Sequence, residues 1–160
     1  MRKKKIYLDT TVISHLRHDD VPERRDETLE FWQILKIGKY DVYLSEVTIA
    51  ELTRCSEPKR SELFVFLAEI KYTEIEVEGN AEIKALESEI KSLGFLPPKS
   101  ENDRIHIAAA IFSGCNIIVS WNFQHFIKEK TIDGVRKVCL DNHITPFVDI
   151  YTPTVLVSKE

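Results

Sequence analysis

The chain has 160 residues, 43% hydrophobic and 30% charged, with 5 Gly and 6 Pro. That composition describes a globular domain able to bury its own core, and it excludes collagen-like and Pro/Gly-driven disordered classes. With 22 Lys and Arg against 26 Asp and Glu the net charge is −4, which excludes coating of nucleic acid by net charge alone and leaves room for local basic patches.

Three cysteines, Cys55, Cys115 and Cys139, are widely spaced and form no C-x-x-C pair. They read as reduced, mostly buried thiols, not as a disulfide framework or a zinc site. The opening Met1-Arg2-Lys3-Lys4-Lys5 looks like the start of a secretion signal, but the apolar run after it ends at Asp9. No stretch approaches the ~20 apolar residues that span a bilayer. A cytoplasmic protein without membrane association is expected.

In chain order, Ile6-Tyr7-Leu8 predicts a buried strand ending directly in Asp9, and charged residues then dominate 17 to 27. Leu29, Phe31, Trp32, Ile34, Leu35 and Ile37 predict a helix closed by Gly38. Asp41 to Leu44 predicts a second strand, with Ser45 capping a helix from Glu46 that carries Glu51. Leu63 to Ile70 predicts a third helix, and Thr73 to Val77 a short strand. Ile83, Leu86, Ile90 and Leu93 predict an amphipathic helix stopping at Gly94. Ser100 starts an alanine-rich helix running to about Gly114, with Asp103 at capping-box spacing. Ile117 to Ser120 is a buried strand, Val135 to Leu140 a helix or strand, and Asp149-Ile150-Tyr151 precedes Pro153. The alternation predicts one α/β domain over 1–160, a mainly parallel sheet flanked by helices on both faces.

In such a sheet functional groups collect beyond the carboxyl ends of the strands. Asp9, Glu51, Asp103 and Asn122 all fall there. Each alone has an ordinary explanation as a cap, a turn or a solvated helix residue. Together they stand out, because a carboxylate at the mouth of a helix as apolar as Ile105 to Ile111 is costly without a compensating charge. A hard divalent cation held by carboxylates and water supplies that charge.

Four segments in order resemble the PIN-domain family, in particular the VapC-type ribonuclease toxins of bacterial toxin–antitoxin pairs. They are Ile6 to Ile13, Leu44 to Leu52, Asn102 to Ala110 and Ile117 to Phe126. The resemblance implies a Mg²⁺- or Mn²⁺-dependent endoribonuclease with Asp9, Glu51 and Asp103 as metal-binding acids, alongside Thr11 and Ser120. It further implies a homodimer and a protein antitoxin. Asn122 occupies a position that is often Asp, so it is expected within reach of the metal through water, with one charge fewer. His106 and His125 are candidates to orient an acid or contact phosphate. Trp121, Phe123 and Phe126 are candidates to stack on bases, or core residues. Arg54, Lys59, Arg60, Lys128 and Lys130 are candidate RNA contacts. The competing readings are a catalytically weak RNA-binding or scaffold protein of the same fold, and a DNA nuclease.

Overall fold

A computed structural model describes residues 2–158. Ile6, Tyr7 and Leu8 are wholly buried, and three consecutive buried apolar side chains require a strand covered on both faces. That strand, β1 (Lys5–Leu8), is the centre of the sheet. It pairs in parallel with β2 (Asp41–Ser45) on one side and β4 (Ile117–Val119) on the other, with Ile6 opposite both Val42 and Ile117. Outside these lie β3 (Thr73–Ile75), next to β2, and β5 (Asp149–Tyr151), next to β4. Every pairing among the described residues is parallel, in the order β3-β2-β1-β4-β5. The chain winds outward from β1 through β2 to β3, then crosses to β4 and β5. The switch point therefore lies between β1 and β4, and a crevice is expected beyond their carboxyl ends.

Alternation along the strands builds two cores. Tyr7, Ile118 and Ile150 face α5 (Ala81–Leu93), α6 (Glu101–Phe112) and α7 (Glu129–Asp141). Ile6, Leu8, Leu44 and Val119 face α1 (Thr10–Ser14), α2 (Pro22–Lys36), α3 (Glu46–Thr53), α4 (Lys59–Leu67) and α8 (Pro153–Ser158). The stripes at 29–37 and 61–70 belong to this second core: Phe31, Trp32, Leu35, Leu63 and Leu67 are buried, leaving Ile37 and Val65 exposed.

Two sequence expectations are extended. α2 starts at Pro22, inside the charged stretch, with proline in the first turn where its missing N–H costs nothing. The segment from Val135 is part of a helix that begins at Glu129. Gly94 ends α5 in the left-handed conformation, φ +69°, which a side chain disfavours. Among the described residues no helix is long and apolar enough to cross a membrane.

Candidate functional site

Asp9 follows β1 without a loop and caps α1, and only 2% of its surface is exposed. Thr11 Oγ1 donates to one of its carboxylate oxygens at 2.5 Å, and Ser120 Oγ, from the end of β4, donates to the other at 2.7 Å. Both hydroxyls are themselves oriented: Thr11 Oγ1 accepts from the Trp121 N–H at 2.9 Å, and Ser120 Oγ from the Asn122 N–H at 2.9 Å. The ends of β1 and β4 are thus tied together around one carboxylate at the switch point. Burial pushes the Asp9 carboxyl above the usual carboxylate range, and the nearby His106 and the hydrogen bonds from Thr11, Ser120 and Val12 only partly oppose this.

Glu51 comes from α3, whose start is fixed by a capping box between Ser45 and Thr48. Its Oε1 accepts from Thr10 Oγ1 at 2.6 Å and lies 2.7 Å from His106 Nε2. The other ring nitrogen of His106 is 2.6 Å from the Tyr7 hydroxyl, which in turn donates to Ser45 Oγ at 2.9 Å. This buried chain runs from the middle of β1 out to Glu51. Partial burial raises the Glu51 carboxyl, but the His106, Thr10 and Asn102 contacts outweigh it and the net displacement is downward.

Asp103, in the first turn of α6, lies 2.6 Å from His125 Nδ1. The expected capping box does not form: Ser100 makes no side-chain cap bond, and Asp103 turns to His125 instead. His125 is held by its own turn. Asn122 Oδ1 accepts the backbone N–H of Gln124 at 3.1 Å and of His125 at 2.9 Å, an arrangement typical of an Asx turn.

Glu51 and Asp103 line one open cleft of about 510 Å³ with Lys99, Ser100, Glu101, Asn102 and His125. Asp9 is not part of this lining; its chain neighbour Thr10 donates to Glu51, and His106, which also meets Glu51, acts on Asp9 electrostatically. The cleft donors are hard oxygens, the ligand class that suits Mg²⁺ and Mn²⁺, and in that respect the residues fit such an ion. Among the described residues no three His, Cys, Asp or Glu side chains already stand together as a ligand set; Glu51 and Asp103 each meet a different histidine. His106 and His125, the candidates to orient an acid or contact phosphate, each stand against an acid; which acid each meets, and the part played by Tyr7, escape sequence reading. Their partners are up to 99 residues distant, and only the one-turn spacing of Asp103 and His106 hints at a shared face.

A five-stranded parallel sheet with acids beyond the carboxyl ends of its central strands defines an α/β protein with a polar crevice at the switch point. The sequence model of the PIN domain matches residues 6–125, and the chain belongs to the PIN-domain family, whose members are generally nucleases. Its fold is similar to that of a crystal structure of VapBC2 from Rickettsia felis bound to a DNA fragment from their promoter. That likeness has a TM-score of 0.58 and 14% identity, over 92% of this chain and 98% of the other. It is also similar to FitAB bound to an IR36 DNA fragment, with a TM-score of 0.56 and 18% identity, over 92% of this chain and 94% of the other. No curated protein matches this sequence.

Proposed function

We propose that this protein is a metal-dependent endoribonuclease and the toxin of a toxin–antitoxin pair. The observation that carries the reading is the delivery of Asp9, Glu51 and Asp103 by three separate elements to one edge of the sheet, two of them in the wall of an open cleft. Mg²⁺ or Mn²⁺ held there by Asp9, Glu51 and Asp103, directly or through water, supplies charge to the phosphoryl oxygens and lowers the pKa of bound water. The chain's own groups divide the remaining work. Thr11 and Ser120 fix the Asp9 carboxylate, and the Tyr7–His106 pair fixes Glu51 where it can orient an attacking water. Lys99, in the cleft wall, offers a cation to the phosphate, and Asn122 acts as a positioning residue by holding the turn that carries His125. The pairing of toxins with antitoxins among the similar structures supports an antitoxin partner here, and a homodimer is part of the same reading. Light scattering that finds only monomer at micromolar concentration removes the dimer alone.

Purified protein is incubated with structured and single-stranded RNA in Mg²⁺, Mn²⁺ or EDTA. Cleavage is expected only with a divalent ion, and Asp9→Asn or Asp103→Asn is expected to lower it at least about 100-fold with circular dichroism unchanged. Metal-independent cleavage, or near-wild-type activity in either folded variant, defeats the mechanism. One observation favours a non-catalytic RNA-binding reading: Glu51 and Asp103 are paired to histidines, and among the described residues no ligand set is already gathered. RNA binding with no cleavage in any ion selects it, and cleavage of DNA alone selects the DNA nuclease.

A further inference from the structure

The three aromatic residues after β4 separate by exposure. Trp121 is 5% exposed and its indole N–H donates to Thr28 Oγ1 at 2.8 Å, while Phe126 is wholly buried in the first core. Both are structural. Phe123 is 45% exposed. Its ring centroid lies 6.4 Å from that of Trp121, and the Arg24 guanidinium, from α2, stands 4.7 Å from the Phe123 centroid and 5.6 Å from the Trp121 centroid. Among the described residues Arg24 forms no ion pair. A cation that rests on aromatic faces and is matched by no carboxylate keeps its charge for something outside the chain.

The location gives the pair its meaning. Phe123 is three residues beyond Ser120, whose hydroxyl donates to Asp9, and three residues span at most about 10 Å. An exposed ring takes the face of any unpaired base, and an adjacent guanidinium adds cation–π attraction and meets the phosphate beside it. Paired bases inside a duplex present no free face, so such a platform selects single-stranded segments.

We propose that Phe123 and Arg24 form a stacking site for an unpaired nucleobase of single-stranded RNA, on the Asp9 side of the cleft. The assignment rests on the nuclease reading for its substrate, but its test is separable from cleavage. Binding of a fluorescent single-stranded RNA of mixed sequence is measured in EDTA by anisotropy, beside the same backbone with abasic sites. Phe123→Leu keeps an apolar side chain and removes the π face, and it is expected to weaken binding of the base-containing RNA about 5- to 100-fold. Phe123→Trp restores binding, Arg24→Gln weakens it severalfold, and the abasic strand binds wild type and Phe123→Leu alike. In Mg²⁺ the loss appears in KM rather than kcat. Unchanged binding in Phe123→Leu overturns the platform even if the wild type cleaves RNA. So does equal weakening for the abasic strand, which would make Phe123 a packing or partner-protein contact. Absence of cleavage by a wild type that still shows the base-dependent pattern defeats the nuclease reading alone.

Discussion

An asparagine side chain offers one acceptor and one donor group, and at Asn122 the acceptor is already committed to the N–H groups of Gln124 and His125. The amide nitrogen that remains carries only donors and cannot ligate a cation. Asp in this position would accept the same two bonds and add a charge. Asn122→Asp is therefore expected to leave the turn intact and the Mg²⁺ midpoint for cleavage unchanged. Asn122→Ala is expected to cost about 1 kcal/mol of stability and to reduce cleavage by releasing His125 from Asp103. Metal titrations of activity and urea unfolding on the three proteins check this. A lower metal midpoint in folded Asn122→Asp would put the residue in the ion's coordination sphere after all.

Elements explain a second position where local preference loses to packing. Gly134 lies inside α7, where alanine would favour the helix by roughly 1 kcal/mol. A Cβ there would overlap the Phe95 ring, and Phe95, from the connection between α5 and α6, is buried. Gly134→Ala is thus expected to destabilise by about 1 to 3 kcal/mol despite its better propensity, and Phe95→Leu in the same chain to recover part of the loss. Urea denaturation of the single and double variants decides it; additive losses would show that the two side chains do not meet. The same contest between local signal and distant contact governs what was legible in the sequence. β1, β2 and β4 were readable as apolar runs, α5 as a stripe ending in Gly94, and the start of α3 as a Ser45 cap. α1 was not, since five residues are too few to show a period, nor was the first half of α2, whose charges mostly face solvent. Of the candidate residues, Asp9 could be located beyond β1 from the strand it follows, and Glu51 in α3 from the Ser45 cap that starts that helix. The Ser100–Asp103 spacing makes no capping box, since the Ser100 N–H is bonded to the Pro97 carbonyl at 2.9 Å and Asp103 meets His125, 22 residues away.

At the scale of the whole molecule, one buried histidine makes global stability depend on pH. His15 sits where α1 meets the turn at 15–17, with its Nδ1 2.7 Å from the Thr11 carbonyl oxygen and its ring packed on His18 and Trp121. Burial pushes its pKa down to about 4, the Thr11 hydrogen bond opposes this, and the charges of His18, Arg24 and Lys59 lower it further. The folded protein keeps His15 neutral where the unfolded chain, with a value near 6.5, takes up a proton. Its contribution is fully present above about pH 6.5 and is lost as pH falls toward 4, up to about 3 kcal/mol. Asp9 acts with the opposite sign, since its raised pKa makes the folded state hold a proton more readily, so the raw pH profile mixes the two. A variant comparison separates them. His15→Gln keeps an N–H for the Thr11 carbonyl but does not titrate, and Asp9 is common to both proteins. The stability advantage of wild type over His15→Gln, from urea unfolding at pH 7.5, 6, 5 and 4.5, is expected to shrink steadily below pH 6.5. Parallel profiles over that range would mean that His15 titrates alike in the folded and unfolded chains, and the aromatic corner beside Asp9 would then hold no buried neutral imidazole.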